Sequence, residues 1–345
     1  MRLSVSLGLW QDRPPEEALE TARAAEAAGY PELWIGEMAT WDAFALGTAI
    51  GAATSRISLT FGPLAVTVRD PATIAMGVAS VAALTGRTTG VALGTSSDVV
   101  VRGWHGRSRA RAATALGESA LAVRQLLDGE KSTVDGSVVG SRGYRLRLAA
   151  PKSPLTIAAF GPRALGVAAR HADRMVVNLV SPAAAASLVR GLRDAAARAG
   201  TAPPPVAAWV VGAVDPGPAE IEQLRRGVVG YLAAPGYGEM FREAGFGDLV
   251  DFARTRPHPR ELLAAVPVEA IATVGLLGSR ADVAAKVREY AEAGIGELAI
   301  VPATSDDDPG GAKTLAAVAA ATDAAGSESS PPVDPPSPRS TRRHD

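Results

Sequence analysis

The chain has 345 residues, 47% of them hydrophobic, with a formal net charge of −1 and no cysteine. That length and apolar content allow one large domain or two ordinary ones, and the balanced charge argues against a general affinity for nucleic acid. The missing cysteine excludes disulfides, thiolate nucleophiles, iron–sulfur clusters and cysteine-ligated zinc, so redox chemistry needs an organic cofactor or a non-thiolate metal site.

The opening stretch MRLSVSLGLW is too short for a secretory apolar region and carries no cleavage site. No long apolar run suggests a membrane span, so the cytoplasm is the expected location. Residues 3–9 read as a strand. Pro14-Pro15 open a helix with Leu19, Ala22 and Ala25 on one face and Gly29 as its stop. Residues 33–35 form a short buried strand ending at Gly36-Glu37-Met38, and a helix follows over 42–53. Residues 57–66 are a third strand, interrupted by Gly62-Pro63, which signals a bulge or an unusual peptide bond. Asp70-Pro71 pairs a cap with a first-turn proline for a helix through Leu84. Residues 89–93 are the fourth strand.

Gly94, Thr95, Ser96 and Ser97 follow, with almost no bulk, and then Arg102, Arg107, Arg109 and Arg111. Small residues with hydroxyls between a strand end and a helix start suit an anion such as phosphate, and arginine adds forked donors. A solvated loop before an exposed charged helix accounts for the same residues. There is no P-loop and no GxGxxG pattern. A helix spans 109–127. Weak alternation over 130–149 predicts a hairpin insertion. Residues 155–159 are a fifth strand, followed by Phe160-Gly161-Pro162 and a short helix. Residues 174–179 and 206–214 are the sixth and seventh strands, and 217–272 reads as a long insertion of helical pieces. Ser279 and Asp282 bound a capping-box pattern, Gly294 ends that helix, 297–301 is the eighth strand, and a last helix covers 310–324. The Ser/Pro/Arg-rich tail 326–345 is expected to be disordered, leaving one domain over 1–325.

Eight short apolar strands alternating with helices predict an α/β fold, a (β/α)8 TIM barrel, with insertions at 130–149 and 217–272. In such a barrel function gathers at the C-terminal strand ends. None of the four lysines, Lys131, Lys152, Lys286 and Lys313, falls there, which argues against a Schiff base. The four histidines are scattered, which argues against a histidine metal site. His171 terminates a helix. Glu37 and His105 remain as candidate proton-transfer groups. The competing readings are a carboxylate tied to backbone N–H groups or an arginine, and a loop histidine bonded to backbone. Trp10, Trp41 and Trp104 are candidates to line a pocket for a flat ring, whereas Trp34 reads as core. So little acid–base equipment favours a barrel whose cofactor carries the reaction.

Glu37 after strand two, Gly62-Pro63-Leu64 with Arg69-Asp70-Pro71, Gly86-Arg87 before Gly94-Thr95-Ser96, Ala158-Ala159-Phe160-Gly161-Pro162 and Glu292-Ala293-Gly294 together resemble the luciferase-like oxidoreductases, in the branch that uses the deazaflavin coenzyme F420. The resemblance spans residues 1–325. It implies hydride transfer between coenzyme F420 and a small organic substrate, with FMNH2-dependent monooxygenation or a non-catalytic cofactor-binding barrel as alternatives, and a homodimer as a further expectation. In that family an irregular peptide in strand three, often cis, presses on the flavin ring. The resemblance places it at Phe61-Gly62, next to Pro63, so bulk at Gly62 should meet the ring. It carries the ribityl and phosphate contacts to Gly94, Thr95, Ser96, Ala158, Ala159 and Gly161, with Arg107 as a basic contact. Trp10, Met38, Ser97 and Asn178 are then the expected substrate pocket. Many relatives hold histidine where this chain has Met38, and some reductases hold glutamate where it has Ser97. Their proton-transfer roles therefore do not carry over, and the substrate stays open.

Overall fold

A computed structural model describes residues 1–9 and 13–327 of the chain. Its core is a closed barrel of eight parallel strands. In chain order these are β1 (Arg2–Ser6), β2 (Glu32–Ile35), β3 (Ser58–Ala65), β4 (Thr89–Gly94), β7 (Leu155–Ala158), β8 (Arg174–Asn178), β9 (Val206–Val214) and β11 (Glu297–Pro302). Each pairs with the next, and β11 pairs with β1 to close the ring. The pattern behind this is simple. Strands buried on both faces are rich in apolar residues, with polar exceptions here paired to one another at the barrel floor, and a parallel neighbour needs a crossover helix long enough to bring the chain back.

Local chemistry fixes where several helices begin. Asp42 accepts from the N–H groups of Phe44 and Ala45 at the start of α2 (Ala43–Ala53). Asp70 accepts from Thr73 at the start of α3 (Pro71–Thr85), whose Pro71 needs no partner for the N–H it lacks. Ser279 and Asp282 form the expected capping box of α12 (Arg280–Glu292). The remaining crossover helices are α1 (Glu17–Ala27), α4 (Ala112–Leu127), α5 (Pro162–His171), α6 (Pro182–Ala199) and α13 (Ala312–Ser327).

The expected hairpin is present as β5 (Thr133–Asp135) and β6 (Gly140–Arg142), paired antiparallel. The helical insertion consists of α7 (Pro218–Val229), α8 (Tyr237–Glu243), α9 (Gly247–Arg254), α10 (Pro259–Ala265) and α11 (Val268–Val274). Three details depart from expectation. A ninth strand, β10 (Leu276–Gly278), pairs with Gly212–Val214 at the far end of β9; at three residues it is too short to carry a periodic signal. Residues 99–104 form a turn of π-helix rather than a loop, so α4 starts at Ala112 and not near 109. The last helix runs to Ser327, two residues into the segment expected to be disordered; residues 328–345 lie outside the described residues.

Inside the barrel the side chains stack in layers from a closed floor to an open mouth. At the floor, the N-terminal end of the strands, Arg174 donates to Glu297 at 2.8 Å and to Glu32 at 2.7 Å. The Ser4 hydroxyl donates to Glu297 at 2.6 Å, and the Thr60 hydroxyl donates to Glu32. Above them the Arg174 guanidinium lies 4.2 Å from the ring centroid of Trp34, which meets Trp209 edge-on at 5.7 Å. Trp34 and Trp209 share this layer with Ala92, Val176, Ala207 and Ala299. The ion network and the indole pair fill the lower barrel, so any ligand space lies toward the C-terminal strand ends.

Candidate active site at the barrel mouth

Strand β3 carries the irregularity the sequence announces. Its register with β4 shifts between Phe61 and Leu64, and the Gly62–Pro63 peptide is cis. The cis bond is therefore one residue later than the expected Phe61–Gly62. Gly62 has φ +116°, and a Cβ there would lie 2.2 Å from the Ala92 carbonyl oxygen and 2.5 Å from the Leu64 nitrogen. Bulk at Gly62 would thus strike strand backbone, not a bound ring as expected. Phe61 is a second correction. Its ring is fully buried on the outer side of the sheet, 5.2 Å from that of Phe44 and against Gly47 of α2. It does not face the barrel interior.

What does face inward is Pro63. A Cβ built on Gly94 would sit 3.2 Å from the Cβ of Pro63 and 3.4 Å from the Cβ of Ala158. Three adjacent strands thus contribute one wall of proline, glycine and alanine above the indole layer. With so little side chain on it, the wall is a shelf that a single added Cβ would begin to fill.

The loop after β4 is clamped. Arg109 donates from Nε to the Ser96 carbonyl at 2.9 Å and from Nη2 to the Thr95 hydroxyl at 3.3 Å, and Ser96 has φ +53°. Ser97 accepts from the Val100 N–H at 3.3 Å. Arg107, expected as the basic contact, is exposed, and its own N–H donates to Val101. The arginine that organises this loop is therefore Arg109. Ala159 turns its side chain to the outer core, and its N–H donates to Val176 at 3.3 Å. Gly161 precedes α5 with nothing within 4 Å of where a Cβ would be, and Arg163 in the first turn is exposed. Small residues and a helix N-terminus opening on free space can accept an anion.

Glu37 is heavily engaged. It receives Nε of Arg69 at 2.7 Å and also Nη2, and its Oε1 accepts from the Ala43 N–H at 3.3 Å. Arg69 also pairs with Asp42 and lies over the Phe44 ring. The Glu37 hydrogen bond, more than the Asp42 one, raises the Arg69 pKa against the opposing effect of burial. Asp42 is held below its usual range because bonds from Ala45 and Arg69 outweigh its burial. Met38 and Trp41 are exposed beyond this triad, and the Trp41 indole N–H donates to the Pro15 carbonyl at 3.0 Å. Trp104, the last residue of the π turn, and His105, just after it, are exposed; the His105 backbone N–H donates to the Val100 carbonyl at 3.2 Å. Trp10 lies outside the described residues.

Asn178 ends β8 on its inward face. Two tyrosines that the sequence did not single out, Tyr231 and Tyr237, reach it from the helical insertion. Among the described residues no cluster of His, Asp or Glu could hold a metal ion, and no helix is long and apolar enough to cross a membrane.

Residues 3–297 match the sequence pattern of a family described as luciferase-like monooxygenase. A putative coenzyme F420-dependent oxidoreductase of Mycobacterium tuberculosis is 27% identical over 217 residues, 58% of this chain and 62% of that protein. The match thus spans less than two thirds of that relative's length. Among solved structures, the coenzyme F420-dependent tetrahydromethanopterin reductase of Methanopyrus kandleri superposes with a TM-score of 0.75 at 19% identity, covering 92% of this chain and 97% of its own. The oxygenating constituent of a 3,6-diketocamphane monooxygenase from Pseudomonas putida, in complex with FMN, superposes at 0.68 with 17% identity, covering 94% and 98%. At these identities the two structures attest the shared fold.

Proposed function

The chain belongs to the luciferase-like monooxygenase family and is an enzyme of that superfamily, and from that premise we propose that it transfers a hydride between coenzyme F420 and a small organic substrate. The observation that carries this reading is the wall of Pro63, Gly94 and Ala158. A smooth wall at the mouth of a barrel suits the face of a fused-ring cofactor. The Thr95–Ser97 loop, fixed by Arg109, and the open backbone at Gly161 suit its ribityl and phosphate groups. Exposed Arg107 and Arg163 add positive charge beside them, which favours the long anionic side chain of coenzyme F420.

When bound, the deazaflavin exchanges hydride at its C5. The remaining tasks belong to the chain: to hold the ring by one face, to orient the substrate and to provide a proton. In this reading Glu37 is a positioning residue that fixes Arg69 and the start of α2, and His105, on its exposed segment, is the proton-transfer residue. A second reading has one observation in its favour: the P. putida neighbour holds FMN in the same fold, and the same wall would serve FMN in an FMNH2-dependent monooxygenase.

Titrating the full chain with coenzyme F420 and with FMN, followed by fluorescence, separates the two. We expect saturable binding of coenzyme F420 and FMN binding at least about tenfold weaker, a difference of about 1.4 kcal/mol. Tighter FMN binding with oxygen-dependent turnover of FMNH2 would put the second reading in place of the first. Binding of neither would remove both.

A further inference from the structure

The helical insertion reaches back over the barrel mouth and sets two phenols beside Asn178. Asn178 lies two residues beyond Val176, which belongs to the interior layer, so its side chain shares that inward face. Ala158 and Val176 are register partners. Asn178 therefore stands one strand across from the cofactor wall and one side-chain layer higher, about 5 Å over and about 7 Å up.

Tyr231 and Tyr237 flank the turn between α7 and α8. Their ring centroids are 4.9 Å apart, and Tyr237 packs on Phe160, just past β7, at 4.8 Å. Gly236 lies so close to that ring that a Cβ would sit 2.5 Å from Cε1 of Phe160. The turn is thus pinned to the rim between β7 and β8. Both phenols face the Asn178 carboxamide. Burial raises both phenol pKa values against the opposing effect of Asn178, so each is a neutral O–H group across the physiological range.

We propose that Asn178, Tyr231 and Tyr237 form the polar end of the substrate chamber and bind an uncharged oxygen, that of a ketone, an enone or the corresponding secondary alcohol. The chemistry of the three groups sets the class. A phenol donates one hydrogen bond and accepts others, and a carboxamide offers two N–H donors and a carbonyl. None of the three carries the positive charge that a buried carboxylate or phosphate requires. Their position sets the orientation. An oxygen held here, beside and above the Pro63–Gly94–Ala158 wall, leaves the carbon that bears it directed toward that wall. The assignment rests on the hydride-transfer reading for its chemistry but not for its geometry.

The test loads the full chain with coenzyme F420 and titrates acetophenone, cyclohexanone and 2-cyclohexenone, read by saturation-transfer NMR and by the absorbance of the bound cofactor. At least one of the three should bind to the wild type. Tyr231→Phe and Tyr237→Phe should each weaken it about three- to tenfold, as expected for loss of one neutral hydrogen bond, with cofactor affinity unchanged. Asn178→Ala should weaken it further. Unchanged carbonyl affinity in both phenylalanine variants would overturn the proposal, as would failure of all three compounds to bind. A parallel loss of cofactor affinity would assign the trio to the cofactor instead. If the wild type binds no coenzyme F420, the hydride-transfer reading falls, and the same NMR titrations on the cofactor-free chain decide the trio alone.

Discussion

Replacing Gly94 with alanine adds one methyl group to the centre of the cofactor wall. The new Cβ meets only the β-carbons of Pro63 and Ala158, at 3.2 and 3.4 Å, so those neighbours must give by a few tenths of an ångström. Overpacking of that size costs about 1–3 kcal/mol, and the barrel should stay folded with a lower Tm. The wall, however, no longer lies flat. A ring face covering on the order of 100 Å² contributes about 2.5 kcal/mol at 25 cal/mol per Å². Standing the ring off by about 1 Å forfeits up to about half of the contact energy, or about 1.2 kcal/mol. Cofactor affinity should therefore fall by about an order of magnitude. Circular dichroism and thermal melts report the fold, and fluorescence titration with coenzyme F420 and FMN reports the site. An alanine variant that melts lower but binds both cofactors as tightly as the wild type would refute the placement of the ring. Gly62 offers no such test, because a Cβ there strikes the Ala92 carbonyl and the barrel itself should fail.

Three further outcomes are expected. Glu37→Gln should lower Tm by weakening the Arg69 clamp, whereas His105→Ala should leave Tm unchanged and lower kcat by about 10²–10⁴-fold with cofactor affinity intact; the reverse pattern in kcat would return the proton role to Glu37. At the barrel floor, burial pulls the Glu32 pKa up, but Arg174, Thr60 and Arg2 outweigh it and hold it below its ordinary value. The stability Glu32 contributes is therefore complete above about pH 5 and is lost as the pH falls through its native pKa. Arg174→Met leaves Glu32 and Glu297 buried together, should cost about 3–5 kcal/mol at neutral pH, and should make the variant gain stability on mild acidification, which melts between pH 4 and 8 will reveal. Finally, α2 and α3 contain no charged residue, and Met76 and Leu84 stand 48% and 73% exposed on α3. We propose that this face pairs with a second copy of the chain: light scattering should find a dimer, and Met76→Glu with Leu84→Glu a monomer, while a monomeric wild type would contradict the pairing.

The parts of this fold legible in the sequence are those whose signal is local. Asp70-Pro71 and Ser279 with Asp282 announce helix starts because the capping oxygen and the N–H it binds lie within one turn. Gly294, with φ +90° just past α12, announces a stop for a similar reason. The eight barrel strands are visible because burial on both faces leaves each a short stretch rich in apolar residues, even where the floor adds Ser4, Glu32, Thr60, Arg174 or Glu297. The bulge was legible too, but not its consequence. A shift of one residue exchanges the two faces of a strand, which is why Phe61 turns outward to Phe44 while Pro63 turns in.

Groups joined across long separations could not be read this way. Glu37 and Arg69 are 32 residues apart, so an arginine and backbone N–H groups could be weighed as partners of the carboxylate, but the sequence could not say which arginine. Arg107 and Arg109 sit two apart in a stretch without periodicity, so only the folded chain shows that Arg109 grips the Thr95–Ser96 loop. Tyr231 and Tyr237 come from a Gly/Pro-rich turn that reads as a plain connection. Their role depends on Phe160 and Asn178, more than fifty residues earlier, and no spacing in the sequence points to that meeting.

Whether the ring of a deazaflavin lies on the wall made by Pro63, Gly94 and Ala158 is decided by a crystal structure of the full chain with coenzyme F420. We expect the ring against those three residues, the phosphate between the Thr95–Ser97 loop and Gly161, and the Asn178–Tyr231–Tyr237 trio beside the ring without contact to the phosphate. A cavity of about 350 Å³ lies elsewhere on the mouth, lined by Asp215, Glu220, Arg280, Asp308 and Lys313 among others. Coenzyme F420 bound in that cavity, with the wall bare, would show that the wall is not the cofactor site.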